Sequence, residues 1–361
     1  MIERPLSRYR QAYLISCRTM TDSLAVFDVD HWWRQPRPAE FHVSQPYQVA
    51  CWSKLSQNEG GRICYGNTEG LTCYKRPELP ANLGQGYPEA YTQKDEEASV
   101  GVEQVATAVA KAGLQDQCDV CTFRNNLNKI FATPLDLKSP WVVDACMLRH
   151  TMHLDIHKLP QHTFPNADLF QYYGYRFEAL STQQTEVDAT SEYCAVVRLR
   201  LDKLRIIMAA EVDCYDSDKV KPGHTPDLAS YLELKTYVMP ENQWKAANIK
   251  KFKYPKWWLQ SWLAGVPSII AGARDKQGWL RSIETLPTRQ LPNLSAEANV
   301  GFNPWEQIGF GRDVLTWMQH MTGLHREKQL RFSYQEEGNR HAIRCMLVNA
   351  GSLAERVRSA Q

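Results

Sequence analysis

The chain has 361 residues, of which 43% are hydrophobic, 11% aromatic and 23% charged, with 42 Lys and Arg against 40 Asp and Glu. That composition belongs to a folded globular protein and excludes a disordered one, and a net charge of +2 supplies no global field for a polyanion or a lipid surface. No run approaches the roughly 20 apolar residues of a membrane-spanning helix, so no membrane is expected as a partner.

Ten cysteines are scattered without a dense framework and the opening MIERPLSRYR has no apolar signal core, so a reducing, intracellular environment is expected. Loops are expected at 35–46 and 76–90, where Pro and polar residues collect. Residues 47–75 alternate as an antiparallel pair of strands. Val102, Val105, Ala106 and Val109 recur at helical spacing, with Gly113 as the stop. FRNNLNKIFATP reads as helix or strand up to Pro134, and 140–157 as strands.

Farther on, 168–181 reads as a helix with Phe170, Tyr173, Phe177 and Leu180 on one stripe. EYCAVVRLRL (192–201), a turn at Asp202 and Lys203, and RIIMAAEVDCY (205–215) read as a β-hairpin, and YLELKTYV (231–238) as a third strand. PKWWLQSWLAG (255–265) has Pro255 for the first helical turn and Gly265 for the C-cap. A strand follows at 267–275 and a helix at 311–323, closed by Gly323. This mixture predicts an α+β or mixed α/β fold. One large catalytic domain, 47–361, is expected, with an N-terminal extension, 1–46, packed on or near it.

Chemistry collects at two of these strands. Side chains at i and i+2 share a strand face, so Glu211 pairs with Asp213, and Glu233 with Lys235 nineteen residues later. Either pair alone is common on a solvent-facing strand. Here each follows an apolar run, which places the acids at the ends of buried strands. If the two strands are neighbours, three carboxylates and one ammonium meet on one patch. Crowded carboxylates oppose one another's ionisation, and a hard divalent cation relieves the conflict while leaving room for water and a phosphate oxygen. Lys235 then faces the phosphoryl charge or holds a carboxylate. The spacing is similar to the D-(D/E)-x-K pattern of metal-dependent nucleases. On the 168–181 helix, Gly174 and Glu178 lie four apart on one face, so the missing side chain admits a backbone or a ligand beside the acid.

NIKKFKYPKWW interleaves Lys250, Lys251, Lys253 and Lys256 with aromatic residues, a pattern suited to phosphate contact, with Trp257 and Trp258 assigned to the core. Cys118 and Cys121 form a C-x-x-C without a second pair, and His150, His153 and His157 are read as ordinary surface or core residues. No phosphate loop, dinucleotide-binding glycine pattern or nucleophile elbow occurs.

GYRFE (174–178), EVD (211–213) and ELK (233–235), in this order, resemble the motif set of the DXO family of RNA 5′-end decapping nucleases. The flanking text agrees over roughly 47–335. The resemblance implies two sheets flanked by helices, two Mg²⁺ or Mn²⁺ ions, and hydrolysis of incomplete or non-canonical caps, NAD caps or triphosphates at RNA 5′ ends, with 5′-3′ exonuclease activity in some members. Glu178, Glu211, Asp213, Glu233 and the carbonyl of Leu234 would be the metal ligands. Lys235 and Gln260 would position water and phosphate, and Arg124 would contact RNA. Where the family usually has Trp-Arg-Gly, this chain has Phe123-Arg124-Asn125, with Asn128 in place of a common Thr. Nuclear residence is expected ahead of cytoplasmic, and the resemblance implies an alternative role, binding and stabilising a 5′-3′ exoribonuclease. A DNA nuclease of the D-(D/E)-x-K type is the other alternative.

Overall fold

The computed structural model describes residues 23–35, 42–94, 100–160, 165–337, 340–349 and 351–361. In chain order, β1 (Ala25–Asp28) and α1 (Val29–Arg34) precede β2 (Tyr47–Lys54), β3 (Ile63–Tyr65), β4 (Ala81–Asn82) and β5 (Tyr91–Thr92). Then come α2 (Val102–Lys111), β6 (Val120–Phe123), α3 (Arg124–Phe131), β7 (Trp141–Leu148), β8 (Thr151–Ile156) and α4 (Ala167–Ser181). The central stretch holds β9 (Val187–Asp188), β10 (Glu192–Leu201), β11 (Leu204–Glu211), β12 (Cys214–Tyr215) and β13 (Tyr231–Val238). It is followed by α5 (Gln243–Phe252), α6 (Tyr254–Ala264), β14 (Ser268–Arg274), β15 (Trp279–Pro287), α7 (Leu291–Ala296), α8 (Pro304–Leu324), β16 (Gln329–Glu337), β17 (Arg340–Val348) and α9 (Leu353–Ala360).

Two sheets carry the fold. The larger has the order β1-β17-β16-β7-β8-β6-β11-β10-β2-β3, and the smaller β12-β13-β14-β15-β4. Both are mixed, because β6 runs parallel to β8 and β11, and β13 parallel to β14, while the other pairings within them are antiparallel. The strand β1, from the expected N-terminal extension, pairs with β17 at the edge of the large sheet; residues 1–22 lie outside the described residues.

Alternation explains the layers. On β10 and β11 the residues Tyr193, Ala195, Val197, Ile206, Met208 and Ala210 point into a core between the two sheets, filled also by α3, α6 and α8. Their neighbours Cys194, Val196, Ile207 and Ala209 face the opposite side, under α2 and α9. Burial on both faces is why these strands read as unbroken apolar runs. A third cluster packs Leu232, Leu234 and Ile270 of the small sheet against Tyr172, Tyr173 and Phe177 of α4. The sheets are joined across the central core by Tyr231, whose hydroxyl donates to Gln48 at 2.8 Å and lies 2.9 Å from the Tyr193 hydroxyl.

Three readings need correction. Residues 205–215 are not one strand, because the backbone leaves the large sheet after Glu211 and enters the small one at Cys214. The helix expected at 311–323 begins at Pro304, capped by the Asn303 side chain, and runs through Gly323 to Leu324. Phe170 lies outside the buried stripe of α4 and is exposed. The first half of the basic stretch, 248–252, ends helix α5, of which no residue is buried.

Near one edge, Asp144 on β7 accepts bonds from Arg331 at 2.7 and 2.9 Å and from Gln329 at 2.8 Å, with His157 Nε2 2.7 Å away. Burial by itself would raise the Asp144 carboxyl, but the Arg331 and His157 bonds outweigh it and hold the group below its ordinary value. A carboxyl depressed in the native state contributes stability above its unfolded pKa and loses it as pH falls through the native value. Asp144→Asn is expected to lower the melting temperature at about neutral pH and flatten its decline between roughly pH 5 and pH 2. An acid limb identical to that of the parent protein in a pH series of thermal melts would refute this linkage.

Candidate functional site

Three segments meet where the two sheets approach each other. β11 ends at Glu211, and β6, parallel beside it with Phe123 opposite Ala209, delivers Arg124 to the same level at the start of α3. The backbone then crosses through Val212 and Asp213 to the small sheet, where β12 pairs with β13. The strands bearing Glu211 and Glu233 are thus not neighbours in one sheet, as the simplest reading of the pattern required. The crossing brings them together instead, and a 2.6 Å bond from the Leu234 N–H to Asp213 Oδ2 ties it to β13.

Glu233 and Lys235 share the face of β13 that looks into the space between the sheets. Glu233 is 1% exposed. One carboxylate oxygen accepts from Arg124 Nη1 at 3.2 Å, and the other from Lys235 Nζ and Gln260 Nε2, each in a short contact. Gln260 reaches it because α6 lies between the sheets, next to β14 and β10. All four side chains expected to cooperate are therefore in direct contact.

The other carboxylates surround this network at increasing exposure, Glu178 on α4 and Asp213 half-buried and Glu211 exposed. Burial, and then the charges of Asp213 and Glu211, push the Glu178 carboxyl well above its ordinary value. Burial and Glu233 push Asp213 up to about 7. Glu233 moves the other way: burial would raise it, but the charges of Lys235 and Arg124 hold it below the usual range. Among the described residues no three His, Cys, Asp or Glu side chains already converge on one point as a metal cage. The hard oxygen donors and their mutual repulsion nevertheless fit a divalent cation, and exposed Glu211 is free to turn toward one.

A Cβ at Gly174 would meet no atom of another element within 4 Å, so no neighbouring backbone packs against this face of α4. Arg124 Nε and Asn128 Oδ1, one helical turn apart, are buried without a partner. The Asn125 side chain, where the family usually has Gly, points to solvent and crowds nothing.

Sequence reasoning missed Lys94 and Glu192. Their 2.8 Å ion pair lies beside Glu211, whose charge, after burial, dominates the surroundings of the Lys94 ammonium. Nothing in the isolated loop YTQK marks this lysine. Of the basic stretch, Lys256 pairs with Asp136 at 2.8 Å, and Trp257 and Trp258 are buried as expected. Cys118 and Cys121 are free and buried, and His153 is buried on β8 while His157 serves Asp144.

Residues 44–357 match the model of the RAI1-like PD-(D/E)XK nuclease family. The chain belongs to this family. Among RAI1-like relatives, the Decapping nuclease RAI1 of Emericella nidulans is 28% identical over 305 residues, covering 77% of this chain and 82% of the relative. The Decapping and exoribonuclease protein of Bos taurus is 27% identical over 307 residues, covering 76% and 75%. The crystal structure of S. pombe Rai1 superposes with a TM-score of 0.75 at 26% identity, covering 89% of this chain and 99% of that one. The RAI1-like fold accounts for both sheets.

Because Glu233 is buried, removing one of its cations leaves a poorly compensated charge. Arg124→Met is expected to destabilise the metal-free protein by about 2–4 kcal/mol, less than an isolated buried pair because Lys235 and Gln260 remain. Urea unfolding in EDTA measures this; a loss under about 0.5 kcal/mol would show that the pair carries no such load.

Proposed function

We propose that this protein is a divalent-metal-dependent hydrolase of RNA 5′ ends, removing incomplete or non-canonical caps, NAD caps or 5′-triphosphates. The observation that carries the reading is the meeting of four carboxylates, Glu178, Glu211, Asp213 and Glu233, at the Arg124, Lys235 and Gln260 network, with Glu211 exposed at its rim. The relatives bear the names of decapping nucleases and of a decapping exoribonuclease. S. pombe Rai1 has been solved with 3′-FADP and Candida albicans Rai1 with pU5 and Mn²⁺.

In this reading Glu178, Glu211, Asp213, Glu233 and the Leu234 carbonyl hold two Mg²⁺ or Mn²⁺ ions. Such ions, when bound, lower the pKa of water and neutralise charge on phosphate oxygens. Asp213 is already oriented by the Leu234 N–H, and Glu233 by Gln260 and Lys235, so these oxygens pay little reorganisation on loading. In the same reading Lys235 and Gln260, both held on Glu233, also position the water and the scissile phosphate. The unpartnered Arg124 Nε offers a second donor to the RNA backbone while its Nη1 stays on Glu233. A 5′-3′ exoribonuclease is the protein partner proposed with this role.

Two outcomes are expected. Purified protein with 5′-labelled RNAs bearing NAD, triphosphate or monophosphate ends releases a 5′-terminal product with Mn²⁺ and none with EDTA; silence on all three ends with folded, metal-bound protein would sink the enzymatic reading. Glu178→Gln and Asp213→Asn should each lower turnover at least about 100-fold. Because each removes charge from a crowded acidic site, neither should lower the melting temperature in EDTA. A mutant that keeps near-parental turnover in saturating Mn²⁺ is not a ligand variant.

A further inference from the structure

A second concave site lies at the other end of the large sheet. β11, β6 and β8 run side by side and all point toward the carboxylates. The β7–β8 turn at Arg149 and His150 therefore sits at their starting end, with Met152 N donating to the Asp119 carbonyl and Asp119 N to the Arg205 carbonyl. The separation is about the length of β11, seven rises of about 3.3 Å, or roughly 23 Å.

There the turn, the loop after α8 and the end of α9 enclose a cleft of about 590 Å³ that includes Met147, Leu148, Arg149, Arg326, Glu327 and Arg358. It continues into a neighbouring hollow of about 540 Å³ through shared Met147 and Arg326, past His150 and His320. Beside Gln115, Glu327 and Gln361, three guanidinium groups thus line one cleft. They are underused. Arg149 has only a 3.5 Å surface contact with Asp116, both side chains being more than 60% exposed, a pair of little strength. Arg326 spends one nitrogen, at 2.9 Å, on the Arg149 carbonyl, and Arg358 has no carboxylate partner among the described residues. Its neighbour Arg356, by contrast, is engaged by both Glu103 and Asp155.

The turn is also held in an unusual shape. Arg149 has φ +53°, a left-handed backbone that costs a residue with a Cβ about 1 kcal/mol, and the Arg326 bond to its carbonyl braces that conformation. Like charges are brought together at the expense of backbone strain, and they face an apolar floor, Met147 and Leu148. Planar guanidinium forks match phosphate oxygens two at a time, and a volume of this size takes one small ligand with a flat ring on the floor.

We propose that this cleft binds a nucleoside phosphate, with Arg149, Arg326 and Arg358 on the phosphate and the base against Met147 and Leu148. The ligand is either a free nucleotide or a nucleotide within an RNA strand. Both share the chemistry, and the test separates them.

Titration calorimetry of the full chain in EDTA, with ATP and separately with a 5′-hydroxyl hexauridylate, reads the site without loading the carboxylate end. Saturable binding is expected. The dissociation constant should rise at least about tenfold in Arg326→Ala/Arg358→Ala and stay unchanged in Glu178→Gln. Since Arg326 braces the turn, single Arg358→Ala, on the exposed face of α9, is the control for folding and should weaken binding while the thermal melt is unchanged. Arginine-dependent binding of ATP assigns a free nucleotide, and arginine-dependent binding of the oligonucleotide alone assigns an RNA strand. No binding of either ligand at millimolar concentration, or binding that Glu178→Gln abolishes and the arginine variants leave intact, overturns the proposal. None of these readouts depends on whether the carboxylate end hydrolyses RNA.

Discussion

A carboxylate sealed between two β-sheets is the constraint around which the rest of this molecule is organised. Glu233 is 1% exposed, and an unpaired charge at such a position would be intolerable or would be neutralised by a proton. Three elements answer it, each from a different part of the chain: α3 supplies Arg124, β13 itself Lys235, and α6 Gln260. The large sheet, through β6 and α3, is thereby joined to the small sheet at the same point where the site lies. Folding of the two sheets against each other and assembly of the site are one event, because neither sheet alone can satisfy Glu233.

From that anchor the acids open outward. Against burial, Lys235 and Arg124 hold the Glu233 carboxyl below its ordinary value, while Asp213 is lifted by burial and Glu233, and Glu178 by burial, Asp213 and Glu211. Such divergence among neighbouring carboxylates marks a site held in electrostatic tension, one that a bound cation would relax. The crossing between the sheets at Val212 makes the gradient possible. A continuous strand would have kept Glu211 and Asp213 equally placed, whereas the crossing leaves Glu211 exposed at the rim and turns Asp213 inward to the Leu234 N–H. The Tyr193, Tyr231 and Gln48 bonds deeper in the same core set the spacing across which these groups meet.

The two ends of the large sheet differ in charge. Carboxylates gather where β6, β8 and β11 finish, and arginines where they start. In a chain with almost balanced total charge, this segregation creates local fields that net charge conceals.

Local pattern was enough to recognise the elements that matter most. The alternation of 192–201 and 231–238, the helical spacing around Glu178 and the Pro255 and Gly265 boundaries of α6 are written in neighbouring residues, since strand and helix periodicities are short-range properties. The motif order GYRFE, EVD and ELK also identified the family, and with it Glu178, Glu211, Asp213, Glu233, Lys235, Gln260 and Arg124 as candidates. Tertiary structure alone decided how they meet. The sheet switch after Glu211 is invisible locally because Val212 and Asp213 continue the alternation, and the first two turns of α8, from Pro304 to Phe310, are missed because Gly309 and Gly311 interrupt its helical pattern. Lys94 and Glu192 lie 98 residues apart, and the Arg124–Glu233 pair 109 apart. No periodicity spans such separations, so those contacts come from packing rather than from any local preference of the chain.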